Sequence, residues 1–524
     1  MRFTSQFLTM AAMLTVTAAF AAVAPGPWSD AAALETQSVP IVSERTEVTL
    51  VSFDGATIPI TVYRPVSPTP ATPEDPVPVL LHSHGWAGAR TNSNGAFSKY
   101  IAAGFGVVSI DMRGHGASDC AEKCVARVHN VDFEIKDVSV VIDHVASLPW
   151  VQLDAPGDPV LGALGGSYGG GYQMLTAVFD ARLDAMAPEI TWNSLPQSLA
   201  PNGAIRSDWV HLLYWGAQAT GTHLHANIHA GYLDAMATNE FPDGSGPSGV
   251  DIVSWFEASS PAAYPDGIAI QTLLIQGMPD TLFNLNEAVG NFVQIEDQAP
   301  VWLFAHRTGH ILNTANTLPG PGQVPIGIQP PGEGSPCGDV TDLIVAFYVD
   351  VLKGGGAFTQ APIELAFDDG SCREFASWPP APLTEVEVPT PVAVPSGPIG
   401  PRVLVPLWSG GATLAGISEV SSVPLGLDDA TLYFSLVAVG PKGARVLDAQ
   451  VTPFRFDGTF VGPEPTTAFL ELGGVASVVA PSETLFLEVA TWSEQFATNA
   501  DRVPEGAALL DLKVGLPMLC PECD

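Results

Sequence analysis

A chain of 524 residues is too long for one ordinary hydrophobic core, so we expect at least two domains. Its 46% hydrophobic and 14% charged residues allow large buried cores, which excludes a disordered chain. The 55 acidic and 20 basic residues give a net charge of −35. This charge repels nucleic acid and anionic membrane surfaces, so we expect neither as a partner.

The N-terminus has the pattern of a secretory signal peptide, which we assign to residues 1–24. Arg2 precedes an apolar run from Phe7 to Ala24, and the Ala-Phe-Ala sequence at 19–21 offers a small-residue cleavage site. No second apolar span follows in the sequence. We therefore expect a secreted or periplasmic protein.

An even number of cysteines in an exported chain favours disulfide bonds. The six cysteines fall into three pairs, and we expect bonds within Cys120–Cys124 and within Cys337–Cys372. The last pair, Cys520 and Cys523, resembles a redox or zinc motif, but no second pair lies beside it. A terminal disulfide is the favoured interpretation.

Strands and helices alternate through the first third of the chain. Residues 47–62 predict a hairpin that turns at Asp54-Gly55. The apolar runs 79–81 and 107–110 predict buried strands, and the segment 94–103 between them predicts a helix. This rhythm indicates a parallel sheet with helices on both faces.

A further helix is predicted from Asp132, which we expect to cap its first turn. Apolar residues recur there at three- and four-residue spacing, which gives the helix one buried face. These residues are Ile135, Val138, Ile142 and Val145.

A glycine-rich serine motif follows the apolar run 160–164 and opens a helix. The motif is Gly165-Gly-Ser-Tyr-Gly169. A serine hydroxyl is a poor nucleophile, so it must stand clear of the backbone, near a base and near amide donors. A sharp turn from strand to helix meets these needs, and we predict Ser167 as a catalytic nucleophile.

The remaining elements of this region follow in order. A strand is predicted first, then a helical, aromatic-rich segment that we expect to cover the strand ends as a cap. Two more strands, a surface loop and a helix complete the region. The predicted ranges are 183–187 for the first strand, 191–263 for the cap, 270–275 and 301–304 for the later strands, 318–338 for the loop and 340–352 for the helix.

Ser167, Asp280 and His310 occur in the chain order of the α/β-hydrolase triad, and each follows a predicted strand. We predict His310 as the base that takes the serine proton and Asp280 as the acid that orients the imidazole. The alternative base His306 sits at a strand end. The alternative acids are Asp251 and Asp266, and both precede their strand.

The backbone N–H groups of Tyr168 and Trp86 are the predicted oxyanion donors, although Trp86 could also be only a pocket wall. We interpret His84 and His115 as structural. His223, His225 and His229 could suggest a metal, but no acidic or cysteine ligand lies close in sequence. We therefore expect no metal and no organic cofactor.

Short alternating strands without helices follow a Pro-, Val- and Glu-rich segment at 379–401, which reads as a linker or a sheet-to-sheet crossing. Among them are 430–437 and 484–489. The pattern predicts a β-sandwich. The predicted organisation is an α/β-hydrolase domain at 45–378, including the cap, and a C-terminal β-sandwich domain at 383–519.

Five motifs together resemble the Xaa-Pro dipeptidyl-peptidase and cocaine-esterase family of serine hydrolases. They are His84-Gly-Trp86, Asp111-Met-Arg-Gly-His-Gly116, Gly165-Gly-Ser-Tyr-Gly-Gly170, Gly277-Met-Pro-Asp-Thr-Leu-Phe283 and Gly309-His310. The resemblance covers residues 45 to 515. It implies a hydrolase domain, a helical cap, a C-terminal jelly-roll domain and the triad Ser167, Asp280 and His310. Related esterases use a tyrosine hydroxyl in the oxyanion hole, whereas the matching loop here has Trp86.

The sequence therefore predicts an exported serine hydrolase that cleaves esters or amides of small acyl or peptide substrates through an acyl-enzyme. One alternative is a peptidase that releases Xaa-Pro dipeptides, although no acidic cap motif is evident for a free amino terminus. The other is a binding protein whose β-sandwich holds an extracellular polymer while the hydrolase site is idle.

Overall fold

Strands and helices alternate from Ser43 onward in the computed structural model. It describes residues 43–310, 326–328, 335–354, 358–389, 391–396, 402–427, 430–456, 467–496 and 503–519. The predicted signal peptide and the Cys520 and Cys523 pair lie outside these residues.

Thirteen of the described strands precede residue 380. They are β1 (Ser43–Val51), β2 (Thr57–Pro65), β3 (Val79–Ser83), β4 (Gly106–Ile110), β5 (Leu153–Ala155), β6 (Asp158–Pro159), β7 (Leu161–Gly166), β8 (Ala185–Glu189), β9 (Gln271–Gly277), β10 (Val301–His306), β11 (Ile326–Ile328), β12 (Ile363–Ala366) and β13 (Cys372–Phe375).

Among the described residues, nine α-helices lie in the same part of the chain. They are α1 (Ser98–Ala102), α2 (Glu134–Ala146), α3 (Tyr168–Phe179), α4 (Leu195–Leu199), α5 (Ser207–Thr220), α6 (Ala226–Thr238), α7 (Ile252–Ala258), α8 (Leu285–Glu296) and α9 (Val340–Leu352). None of the described helices is both long and apolar enough to cross a lipid bilayer.

A ten-stranded sheet organises this region in the order β1-β2-β4-β3-β7-β8-β9-β10-β12-β13. Its seven central strands, from β4 to β12, are parallel, and antiparallel strands extend both edges. Helices pack on both faces, in two separate apolar clusters. Because the strands are parallel, their carboxyl ends gather functional side chains at one edge.

The predicted hairpin is confirmed, since β1 and β2 pair antiparallel around the Asp54-Gly55 turn. The predicted cap at Asp132 is wrong. Helix α2 begins at Glu134, its N-cap residue is Phe133, and no side chain caps it. Asp132 instead forms an exposed ion pair with Lys136, 2.8 Å away.

Both expected disulfides are present. Cys120 and Cys124 are bonded with their Cα atoms 5.0 Å apart, and the Cys337–Cys372 bond spans 5.1 Å between Cα atoms. The second bond joins the segment before α9 to strand β13. It therefore fastens α9 to the edge of the large sheet.

The loop after β4 is held by buried charges. The Arg113 guanidinium is fully buried and forms ion pairs with Asp54 at 2.6 Å and Asp137 at 2.7 Å. The Asp111 carboxylate accepts from the backbone N–H groups of Arg90 and Ala117, at 2.6 and 2.9 Å. The polar residues of the Asp111–Gly116 motif therefore fix the loop that lies behind the serine turn.

The structure describes twelve further strands in the C-terminal β region, which we define as residues 383–517. They are β14 (Leu383–Glu387), β15 (Val392–Ala393), β16 (Arg402–Ser409), β17 (Ala412–Gly416), β18 (Glu419–Leu425), β19 (Ala430–Gly440), β20 (Gly443–Val446), β21 (Thr452–Phe456), β22 (Ala468–Glu471), β23 (Val475–Val479), β24 (Thr484–Ala490) and β25 (Ala508–Pro517).

Two larger sheets in the C-terminal β region share one apolar core. One contains β16, β19, β20, β21 and β24, and the other contains β14, β15, β18, β22 and β25. Two segments differ from their predictions. The predicted linker contains β14 and β15, which both pair with β25. The predicted surface loop contains β11, which pairs with β20.

Candidate active site

Ser167 occupies the sharp turn between β7 and α3. Its backbone has φ 59° and ψ −120°, a conformation that non-glycine residues rarely adopt. Its N–H donates to the Glu189 carbonyl at 2.8 Å, and its own carbonyl accepts from the Thr191 hydroxyl at 3.1 Å. Strain of this kind persists where the surroundings fix it, which is common at functional sites.

The turn passes so close to the end of β3 that only glycine fits at two positions. A Cβ atom on Gly165 would lie 2.6 Å from the Ser83 carbonyl oxygen, and one on Gly169 would lie 2.3 Å from the same atom. Gly165 also has φ 136°. The glycines of the motif therefore allow β7, the serine and α3 to cross the neighbouring strand.

Asp280 and His310 lie in hydrogen-bond contact. The Asp280 Oδ2 atom accepts from the His310 ring, with a distance of 2.7 Å to Nδ1, and from the His310 backbone N–H at 2.9 Å. The other oxygen, Oδ1, accepts from the N–H groups of Leu282 and Phe283 at 2.9 and 2.8 Å. The fully buried carboxylate thus has four donors, and Nε2 of His310 remains available for proton transfer.

The serine is not part of this hydrogen-bonded pair. Among the described residues, no hydrogen bond joins the Ser167 hydroxyl to the His310 ring. Hydrogen bonds between catalytic groups are often long in a ligand-free enzyme and tighten when substrate binds. The structure therefore joins the predicted acid to the predicted base, and the predicted nucleophile lies on a separate turn.

The alternative bases and acids are engaged elsewhere. His306 is buried, its Nδ1 accepts from the Thr308 N–H at 3.1 Å, and its Nε2 lies 3.5 Å from the Glu189 carboxylate. Asp251 caps α7 by accepting from the Ser254 N–H at 2.8 Å. Asp266 accepts from Gln298 at the surface.

Two backbone N–H groups beside the serine are free of protein acceptors. Among the described residues, neither the Tyr168 nor the Trp86 backbone N–H donates a hydrogen bond. The two side chains touch, with ring centroids 5.2 Å apart, and the Trp86 indole N–H donates to the Leu213 carbonyl at 2.9 Å. Trp86 therefore packs as a wall of the site while its backbone stays available.

The buried histidines His82, His84, His115 and His129 lie near the site, and sequence reasoning missed two of them, His82 and His129. The Nε2 atom of His129 donates to the Tyr168 carbonyl at 2.6 Å, and its ring stacks on the Tyr168 ring at 3.7 Å between centroids. His129 and the preceding Val128 both have positive φ, at 56° and 61°. No motif surrounds them, and only the fold brings them to Tyr168.

Burial keeps these histidines uncharged. It lowers the pKa of His82 and of His129 to about 3, and it lowers the pKa of His84 and His115 as well. The His84 Nε2 atom accepts from the Met112 N–H at 3.2 Å, which requires the neutral ring. The structural interpretation of His84 and His115 fits these surroundings.

An apolar cavity of about 120 Å³ lies between the serine turn and the helices α4 to α7. None of its lining residues carries a charged side chain. They are Trp86, Val128, Ser167, Tyr168, Trp192, Leu195, Leu199, Val210, Leu213, Tyr214, Leu224, Ile228, Gly231, Tyr232, Ala235, Phe241, Pro242, Ile252, Phe256, Leu282 and Phe283.

Trp192 and Tyr214, from the predicted cap, line this cavity. Trp209 donates to the Thr281 hydroxyl at 3.1 Å and packs edge-on against His310, the predicted base. Trp215 is 45% exposed. The aromatic side chains of the predicted cap therefore differ in their surroundings, and only some of them line the cavity.

The three neighbouring histidines of the cap do not form a metal site in the part of the chain that the structure describes. His225 caps α6, and His229 bonds the Tyr214 hydroxyl at 3.0 Å. The one described cluster with metal-ligand composition is Cys337, Glu364 and Cys372, and both of its cysteines are used in a disulfide.

Comparison with known proteins identifies the region that carries this site. Residues 54–312 match the family model of the X-Pro dipeptidyl-peptidase, S15 family. The predicted resemblance to this family is therefore confirmed over residues 54–312, which carry Ser167, Asp280 and His310.

One curated relative supports the same grouping over a shorter stretch. A probable dipeptidyl-aminopeptidase B of Emericella nidulans is 31% identical over 153 residues, which is 27% of this chain. The match spans only 16% of that relative's own length.

Solved structures share the fold across nearly the whole chain. A CocE/NonD family hydrolase from Staphylococcus aureus has a TM-score of 0.63 at 14% identity and covers 91% of this chain and 94% of its own. An aminopeptidase from a marine sediment Thaumarchaeota archaeon has a TM-score of 0.64 at 12% identity, with 94% and 99% covered. An α-amino acid ester hydrolase has a TM-score of 0.60 at 13% identity, with 95% and 100% covered. At these identities the likeness establishes the α/β-hydrolase-like fold alone.

The buried histidines make stability depend on pH. Burial lowers the folded-state pKa of His129 to about 3 from an ordinary value of 6.5, so below pH 6.5 the unfolded chain takes up a proton that the folded protein does not. Stability is therefore lost as the pH falls from 6.5 towards 3, by about 1.4 kcal/mol per pH unit for this residue.

His129→Gln should reduce this dependence, because glutamine keeps an N–H donor for the Tyr168 carbonyl but cannot take up a proton. The unfolding free energy of the variant, from urea titrations at pH 6.5, 6.0 and 5.5, should fall less steeply than that of the wild type. Equal slopes would show that His129 does not titrate in this way.

Proposed function

We propose that this protein is an exported hydrolase that cleaves carboxylic esters through an acyl-enzyme, with Ser167 as nucleophile, His310 as base and Asp280 as acid. The observation that carries the proposal is the Asp280–His310 pair beside the strained Ser167 turn. Amide substrates are within reach of the same chemistry. The matched family supplies the hydrolase class.

In the proposed mechanism, Nε2 of His310 takes the Ser167 proton while the serine oxygen attacks the ester carbonyl. The carboxylate of Asp280 holds Nδ1–H towards itself and stabilises the imidazolium that forms. The oxyanion is stabilised by the N–H groups of Tyr168 and Trp86. Protonated His310 then gives its proton to the leaving alkoxide, and water attacks the acyl-enzyme by the reverse sequence.

The apolar cavity favours substrates with an uncharged, hydrophobic acyl or alcohol group. Its lining is carbon-rich and includes Leu213, Ile228 and Phe256. A hydrocarbon group gains free energy on entering such a space, at about 25 cal/mol per Å² of apolar area. The substrate class we propose is therefore an ester of an apolar acid or alcohol.

The alternative, release of Xaa-Pro dipeptides, rests on the family description. Such a substrate carries a free ammonium group close to the scissile bond. Burying that charge without a carboxylate costs several kcal/mol, and the described residues that line the cavity include no carboxylate. We therefore rank ester hydrolysis above dipeptide release.

The domain organisation belongs to the same proposal. We assign a hydrolase domain to residues 45–378, a cap to 191–263 and a jelly-roll-like domain to 383–519. The two larger sheets that share one core support the last assignment. Export rests on the sequence of residues 1–24 and accords with the two disulfides.

Removal of the nucleophile gives the first test. Ser167→Ala should abolish labelling by a fluorophosphonate probe and lower the kcat for p-nitrophenyl butyrate by about a thousandfold or more, because only binding and the oxyanion donors remain. Circular dichroism should stay unchanged. Ser147→Ala, which alters an exposed serine after α2, should label like the wild type. Labelling of Ser167→Ala would show that another residue is the nucleophile.

Filling the cavity gives the second test. Ile228→Trp should lower kcat/KM for p-nitrophenyl hexanoate about tenfold more than for the acetate, because the larger side chain displaces the longer acyl group. Leu233→Trp is the matched control, since Leu233 lies on the same helix α6 but is 63% exposed. It should leave both values unchanged.

The same assay compares the two substrate classes. The wild type should hydrolyse the hexanoate faster than Ala-Pro-p-nitroanilide. Turnover of the dipeptide anilide with no detectable esterase activity would favour the dipeptidyl-peptidase alternative.

A further inference from the structure

A strained turn of the C-terminal β region reaches two loops of the site. We call the loop after β9, which carries Asp280, the acid loop, and the loop after β10, which carries His310, the base loop. Residues 447–449 form this turn between β20 and β21. Asp448 and Ala449 have φ 47° and 57°, and both are buried. Two consecutive non-glycine residues with positive φ are costly and persist only when their contacts hold them.

Gln450, directly after the turn, contacts the acid loop. Its side-chain amide donates to the Asp280 carbonyl at 3.0 Å and lies 3.3 Å from the Met278 carbonyl. The same nitrogen lies 3.0 Å from the Asp448 carbonyl, which ties it to the turn. The backbone on both sides of Pro279 is therefore held by one side chain from the C-terminal β region.

Asp448 contacts the base loop. Its carboxylate forms a buried ion pair with Arg307, three residues before His310, at 2.5 Å. The other carboxylate oxygen accepts from the Ala476 N–H at 2.8 Å and from the Ser477 hydroxyl at 3.1 Å. The carboxylate thus connects β23 to the end of β10.

The acid and base loops also pack closely against each other. A Cβ atom on Gly277 would lie 1.9 Å from the Thr308 carbonyl oxygen, and one on Gly309 would lie 3.0 Å from the Asp280 side chain. Neither loop has room to shift without the other. A contact that fixes both backbones therefore also fixes the distance between the Asp280 carboxylate and the His310 ring.

We propose that Asp448 and Gln450 are positioning residues for the reaction, and that the C-terminal β region thereby completes the active site. The inference rests on the proposed function, because it assigns a role relative to Asp280 and His310. Neither residue touches the substrate. They fix the position of the acid loop relative to the base loop. A displacement of a catalytic group by 1 Å can lower the rate about a hundredfold.

If Asp448 and Gln450 only stabilised the fold, their substitution would lower stability without a specific loss of kcat. Removing one partner of a buried ion pair destabilises a protein wherever the pair lies. The buried Arg402–Glu488 pair, at 3.2 Å between β16 and β24, is of the same type and lies within the C-terminal β region. It provides the matched control.

The test compares Gln450→Met and Asp448→Asn with Glu488→Gln in the full-length protein. Gln450→Met keeps the side-chain length but removes the N–H donors, and Asp448→Asn keeps the shape but removes the charge. Both should lower kcat for p-nitrophenyl butyrate about tenfold or more, with KM nearly unchanged. Glu488→Gln should show a similar fall in melting temperature with wild-type kcat.

A second readout does not need activity. The proton that His310 shares with Asp280 gives a far-downfield NMR signal, which is assigned by its loss in His310→Gln. Gln450→Met and Asp448→Asn should shift or broaden this signal, and Glu488→Gln should not.

The outcomes separate the two proposals. If the wild type neither hydrolyses esters nor labels, the proposed function fails, and a shifted signal in the two variants would still support the positioning role. An unshifted signal in both folded variants overturns the positioning role, even if their activity changes. Wild-type kcat in both variants, or equal losses in Glu488→Gln, also overturns it.

Discussion

The crossing of the serine turn over the end of β3 is the constraint on which the rest of the site depends. The Ser83 carbonyl oxygen would lie 2.6 and 2.3 Å from any Cβ atom on Gly165 and Gly169. Because those positions have no side chain, α3 can start directly against the sheet. Tyr168 is the first residue of this helix, so its N–H lies at the helix N-terminus directly after the serine. The position of this predicted oxyanion donor therefore follows from the close approach.

The buried ionisable side chains of the site differ in whether the fold provides hydrogen-bond partners for their charged form. Asp280 remains buried because four N–H donors surround its carboxylate. Among the described residues, the rings of His84, His115 and His129 bond only to backbone groups, and burial lowers the pKa of all three. The predicted acid thus has donors on both of its oxygens, while burial keeps these histidine rings neutral.

The sequence correctly predicted the elements whose structure depends on neighbouring residues in the chain. The Asp54-Gly55 hairpin, the strand before Ser167 and the helix 340–352 follow from turn chemistry and periodicity, and the structure has all three. The predicted helix cap at Asp132 was wrong because the Asp132 side chain forms an ion pair with Lys136 and does not bond the N–H groups of the helix end. His129 and Gln450 had no signal, since their partners lie 39 and 170 residues away in the chain. Contacts of that range depend on the assembled fold, and no motif marks them.

The cavity favours an apolar ester, whereas the family description names X-Pro dipeptides, and our proposal of the ester rests on the cost of desolvation. A peptide amino terminus keeps its charge only where a carboxylate replaces its hydration. The described residues that line the cavity include no acidic side chain, although acidic residues outnumber basic ones by 35 in the whole chain. Burial of hydrocarbon is therefore the energetic gain that this lining offers to a substrate. Our proposal combines the α/β-hydrolase-like fold with an apolar ester as substrate on that ground.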